Sequence, residues 1–153
     1  MFRSTKHYGH ELGLSACFRQ WRANSHCNLL HGYALAFTFT FEAEYLDERN
    51  WVVDFGGLDR LKERLKHNFD HKLVVAQDDP HLETLCALAQ DQLASVMVLP
   101  YVGCEAFAKF GFQLAQDVLA HMGVIHARVV SCEVREHGAN SAIYHEYQSG
   151  DFR

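Results

Sequence analysis

The chain has two prolines in 153 residues, no Pro/Ser-rich stretch, no internal repeat and no low-complexity segment. Nothing marks a linker, so residues 1–153 read as one domain. No apolar run approaches the ~20 residues needed to cross a bilayer. Met1-Phe2-Arg3-Ser4-Thr5-Lys6 lacks the apolar core of a signal peptide, so no membrane partner is expected. Cysteine occurs five times, an odd number, with no Cys-x-x-Cys spacing. A disulfide framework is therefore not expected, and the reading is a reducing, cytoplasmic environment. Basic residues are few: 14 Lys and Arg against 19 Asp and Glu leave a formal net charge of −5. Nucleic-acid surfaces need clustered cations, and that class is set aside. Arg19 and Arg22 form a small basic spot that suits either an anionic small molecule or a solvated loop.

Histidine, by contrast, occurs eleven times, which points to metal or proton chemistry. The clearest pattern begins at Tyr33. Odd positions carry Leu35, Phe37, Phe39 and Phe41, while even positions carry Ala34, Ala36, Thr38 and Thr40. That period of two predicts a strand over 33–45, with His31 and Tyr33 on its apolar parity and Cys27 in the loop at its mouth. Residues 1–18 read as a strand broken by Gly9 and Gly13, and 19–32 as a loop. Leu58, Leu61 and Leu65 predict an amphipathic helix capped by Asp54 and ending near Asn68. Asp78-Asp79-Pro80 opens a second helix carrying Leu82, Leu85, Leu88 and Leu93. Residues 96–102, interrupted by Pro100, read as a turn or short strand. A third helix runs from about Gly103 to Gly123. Two closing strands follow, 124–136 and 141–148, with Val130, Cys132 and Val134 on one face and Glu136 on the same parity. The order β-β-α-α-α-β-β is an α+β class, with helices on one face of an antiparallel sheet.

Cys27 is a candidate acid/base or nucleophile if a neighbour stabilises its thiolate, and otherwise an inert thiol. Asp70-His71 supplies the acid-oriented imidazole such a thiol needs, and serves equally well as a helix C-terminal cap. Glu136, on an apolar parity, must be paired, meet a ligand or reach water, because an unpaired buried carboxylate is costly. As an anchor it would accept two N–H donors from a guanidine-like ring edge. His31 is a possible metal ligand, but one histidine does not make a zinc site, which wants at least three protein ligands.

Together these residues resemble the 6-pyruvoyl tetrahydropterin synthase family and its bacterial 6-carboxytetrahydropterin synthase branch. The family's C-x-x-x-H-G-H motif is similar to Cys27…His31-Gly32-Tyr33, and its W-x-x-D-F-x-x-L segment to Trp51…Asp54-Phe55…Leu58. L-D-H corresponds to Phe69-Asp70-His71, P-T-x-E to Val102-Gly103-Cys104-Glu105, and V-x-E to Val134-Arg135-Glu136. The resemblance implies the tunnelling fold, a four-stranded antiparallel sheet with helices on its outer face. Subunits of that fold form barrel rings, trimers or hexamers, with active sites between chains. It implies a lyase acting on 7,8-dihydroneopterin triphosphate to give 6-carboxy-5,6,7,8-tetrahydropterin, on the route to 7-deazaguanine compounds and queuosine. Cys27, Asp70 and His71 would be catalytic, and Glu136 and Glu105 would bind the pterin. The resemblance also implies zinc and no organic cofactor.

Two departures accompany it. The second histidine of the family's H-G-H is Tyr33 here, and the residue aligned with its first zinc histidine is Phe18. Only His31 remains, with Tyr33 or Cys17 as substitutes, and Cys17 only if a bulge turns it inward. Residues 78–101 read as a helical insertion. Two alternatives therefore stand beside the synthase reading: an aldolase-like cleavage of a dihydropterin side chain without zinc, and a non-catalytic pterin- or purine-binding subunit.

Overall fold

The computed structural model describes residues 1–146. In chain order the elements are β1 (Phe2–Tyr8), β2 (Leu14–Phe18), β3 (His31–Ala43), α1 (Asp59–Phe69), β4 (Lys72–Ala76), α2 (Leu82–Gln90), β5 (Ser95–Leu99), α3 (Cys104–His121), β6 (Ala127–His137) and β7 (Asn140–His145). β3 is the spine. On one side it pairs first with β2, Phe18 opposite His31, and then with β1, Tyr8 opposite Phe37. The interrupted first strand of the sequence is thus two strands laid end to end, separated by the short turn His10–Leu12. On its other side β3 pairs with β6, and β6 with β7, all antiparallel.

The odd parity of β3 is the core face as predicted. Leu35, Phe37, Phe39 and Phe41 are fully buried, and they meet Leu58, Leu61 and Leu65 of the first helical region and Phe107, Phe112 and Val118 of α3 in one cluster. Each buried aromatic ring stabilises the fold by roughly 2–3 kcal/mol through area removed from water. Charge is managed at the far end of β3. There the buried Glu42 accepts from Arg3 at 2.7 Å and from Arg128 at 2.6 Å.

Four details differ from the sequence reading. The sheet is seven-stranded and mixed, because residues 72–76 and 95–99 are both strands, each parallel to its neighbour. β4 and β5 are joined through α2, the crossover that parallel strands require. The helices do not all lie on one face. Val74 enters the main core, but Leu73 and Val75 point the other way and form a second cluster with Leu85 of α2, since successive strand residues alternate faces. Asp54 does not cap α1: its carboxylate accepts from the Gly56 N–H at 2.9 Å, and the residue at the cap position is Leu58. In β6 the register slips opposite Thr40 and Phe41, so Val129 takes the buried place predicted for Val130. A bulge inserts one residue and exchanges the two faces beyond it.

Candidate active site

The site lies where β2, β3 and β6 end beside the start of α3. Cys27 sits in a single 3-10 turn, His26–Asn28, whose cap Ser25 accepts from the Cys27 backbone N–H at 3.3 Å. Glu136 is the extra residue of a second bulge, between the pairs Arg135–Ser141 and His137–Asn140. Such a bulge re-aims a side chain at the end of a ladder. The bulge brings Glu136 beside Cys104, the first residue of α3. Burial, then the charges of Glu136 and Glu105, push that thiol up to about 12, so it stays protonated. Tyr33 stands among the same groups. Burial, and behind it the charges of Glu136, Cys27 and Cys104, raise its phenol above the ordinary value, so it too holds its proton. Cys27, Tyr33, Cys104, Glu136 and Glu105 therefore share one electrostatic environment.

Asp70 and His71 are elsewhere in the chain. Asp70 is the C-cap of α1, and its carboxylate accepts from His71 Nδ1 at 2.7 Å. The ring is 86% exposed. Lys72 is level with Ala16, which faces Tyr33 across β2. Lys72, the residue after His71, is thus two strand spacings from Tyr33, roughly 10 Å. Both sequence readings of this pair hold in part: it caps the helix, and it is an acid-oriented imidazole, but one facing outward.

The metal reading fails on donor chemistry. Phe18, His31 and Tyr33 form a triangle of rings, with centroids 5.2, 5.5 and 6.2 Å apart. Three imidazoles on a tetrahedral zinc have centres roughly 5 Å apart, so the shape is right. The atoms are not. Phe18 has no donor atom and Tyr33 is protonated, so His31, whose Nδ1 donates to the Leu29 carbonyl at 2.7 Å and leaves Nε2 facing outward from that bond, stands as one ligand where zinc wants three. Cys17 cannot substitute, because it packs with Leu73 and Val75 on the opposite face from Phe18. Among the described residues no three His, Cys, Asp or Glu side chains converge on one point.

Sequence reasoning missed Cys104 as a site residue, although it adjoins Glu105; only the bulge at Glu136 brings a carboxylate to it. Of the two readings of the basic spot, the loop is the one found. Arg19 is held by Asp79 and Arg22 by Asp78, so both charges are met within the chain. Clefts of about 520 and 440 Å³ lie between α1 and α3 and beside residues 50–55, and none of the candidate residues lines them.

Residues 10–147 match the family model described as 6-pyruvoyl tetrahydropterin synthase. The 6-carboxy-5,6,7,8-tetrahydropterin synthase of Aquifex aeolicus is 25% identical over 138 residues, covering 88% of this chain and 85% of that protein. The enzyme of the same name from Rickettsia typhi is 37% identical over 57 residues, 37% of this chain and 41% of that one. An uncharacterised Wolinella succinogenes protein shares the fold with a TM-score of 0.80 at 19% identity, over 95% of this chain and 98% of that chain. The Plasmodium falciparum 6-pyruvoyl tetrahydropterin synthase shares it at 0.66 and 14%, over 95% and 99%. With the model match spanning most of its length, the chain belongs to the 6-pyruvoyl tetrahydropterin synthase family.

Proposed function

We propose that the protein is a pterin-processing lyase that converts 7,8-dihydroneopterin triphosphate to 6-carboxy-5,6,7,8-tetrahydropterin. The observation that carries this reading is the convergence of Cys27, Tyr33, Cys104 and Glu136 at one end of the sheet, in a chain whose relatives carry that synthase name. Glu136 is the group suited to the heterocycle: a carboxylate accepts two parallel N–H bonds from an aminopyrimidine edge. Cys104 and Glu105, at the start of α3, neighbour that carboxylate. Cys27 is the acid/base that takes a proton from the substrate side chain and returns one. Elimination of triphosphate and cleavage of the side chain follow from those transfers.

Asp70 and His71 reach such a substrate from a neighbouring copy, since within the chain His71 faces out. The active form is accordingly a homo-oligomer, a trimer or hexamer, with its sites between chains. Zinc polarises side-chain oxygens in the family, but the donor set here does not fit it, and the proton transfers are assigned to the chain's own groups. Five free cysteines fit a reducing cytoplasm. Among the described residues no helix is long and apolar enough to cross a membrane.

The test is turnover of 7,8-dihydroneopterin triphosphate with product identification by mass. Cys27→Ala is expected to abolish turnover while leaving pterin binding within about threefold. Retained turnover in that variant removes Cys27 from the mechanism, and a wild-type protein that binds the substrate without converting it overturns the lyase reading.

A further inference from the structure

The loop that carries Cys27 has little packing of its own, since the turn His26–Asn28 contains no buried residue. Its position is set at its base. The Gln20 N–H donates to the Cys27 carbonyl at 2.9 Å. Arg19 Nη1 donates to the Asn28 carbonyl at 3.1 Å. The remaining donors of the same guanidinium grip Asp79 in a fork, Nε to Oδ2 at 2.8 Å and Nη2 to Oδ1 at 2.9 Å. Arg19 thus spans two segments: one residue past Cys27 on one side, and the opening of the 78–101 segment on the other.

Asp79 is fastened to the sheet independently of the loop. Its carboxylate accepts from the His81 N–H at 2.8 Å, and its own N–H donates to the Ala76 carbonyl at the end of β4 at 3.0 Å. Its side chain is 1% exposed and that of Arg19 is 20% exposed. A bidentate pair this sheltered is fixed in geometry and little screened by salt. The neighbouring contacts, Arg22 and Trp21 with Asp78, run the same way but are exposed and count for less. The far end of the segment closes on the same loop. Gly103 has φ 110° and packs so tightly on the Gln20 side chain that a Cβ there would collide with it. The next residue is Cys104, the neighbour of Glu136.

We infer that Arg19 and Asp79 are positioning residues, a latch through which the β4–α2–β5 arm sets where Cys27 stands. The catalytic half of this inference rests on the proposed role of Cys27; the positional half does not. Two conservative changes separate them. Asp79→Asn keeps the shape of the side chain but removes its charge and one acceptor oxygen. Arg19→Lys keeps the charge but cannot hold Asp79 and the Asn28 carbonyl together.

Iodoacetamide labelling, followed on the Cys27 peptide by mass spectrometry, reads the loop without any turnover. Both variants are expected to shift the Cys27 labelling rate about fivefold or more, and to lower kcat on the order of tenfold with KM within about threefold. If Asp79→Asn fails to fold, Arg19→Lys alone decides. A folded Arg19→Lys protein with wild-type Cys27 labelling overturns the latch, whatever its turnover. Shifted labelling in a protein whose Cys27→Ala variant still turns over supports the latch and removes only the role given to the thiol.

Discussion

Phe18 and His31 face each other across the β2–β3 ladder with ring centroids 5.2 Å apart, and Tyr33 closes the third side of the triangle. Phe107 packs edge-on against Phe18 from α3 at 5.0 Å, which ties this triangle into the hydrophobic core. A position suited in shape to a metal centre is thereby filled by apolar contact. Reverting it requires only a change of atoms, because the backbone already holds three rings at the needed spacing.

Metal analysis tests this directly. Purified wild-type protein is expected to carry about one-tenth of an equivalent of zinc or less, and Phe18→His/Tyr33→His about one equivalent. Stoichiometric zinc in the wild type would mean that a donor from another chain completes the set.

Acid stability follows Glu42. Hydrogen bonds from Arg128 first and Arg3 second hold its carboxyl below the usual range. A depressed folded value means the contribution is complete above the unfolded value, about 4.3, and is lost as pH falls through the folded one. Melting temperatures measured from pH 7 to pH 3 should fall along an acid limb that is shallower in Glu42→Gln. At neutral pH that variant should be weaker by about 1 kcal/mol, a modest figure because both arginines are more than half exposed. Asp79, held low chiefly by Arg19, leaves part of the limb in place. An unchanged profile in the variant would show that the Glu42 pairs contribute nothing net.

The crossing of α3 over the sheet depends on Gly111. A Cβ there would lie 2.9 Å from Cys132 Sγ and 3.2 Å from two ring carbons of Phe37, all in the sealed core. Alanine gains ~1 kcal/mol in helix propensity, but overpacking costs ~1–3 kcal/mol. Urea unfolding of Gly111→Ala should therefore show a net loss of about 1 kcal/mol. A stabilised variant would mean that α3 shifts outward at little cost.

Much of the site was open to one-dimensional reading. The alternation from Tyr33 to Phe41 identified the spine and its buried face, because burial on one side of a strand imposes a period of two. The parity of Glu136 singled it out, but the bulge that carries it, and not that parity, sets it beside Cys104. The Asp70–His71 bond needed only adjacency. What could have been read and was not is the βαβ unit: two short apolar runs, 72–76 and 95–99, flank a helix, which is the pattern of parallel strands.

By itself the sequence determined which residues alternate, which faces are apolar and which motifs the chain shares with its family, since each depends on neighbours a few residues apart. Tertiary structure alone decided the pairing of Arg19 with Asp79, the rings around His31 and the swap of Val129 for Val130. Those outcomes come from strand register and from bulges that change it by one residue. Register is a long-range quantity, set by which strands meet and not by the residues along any one of them.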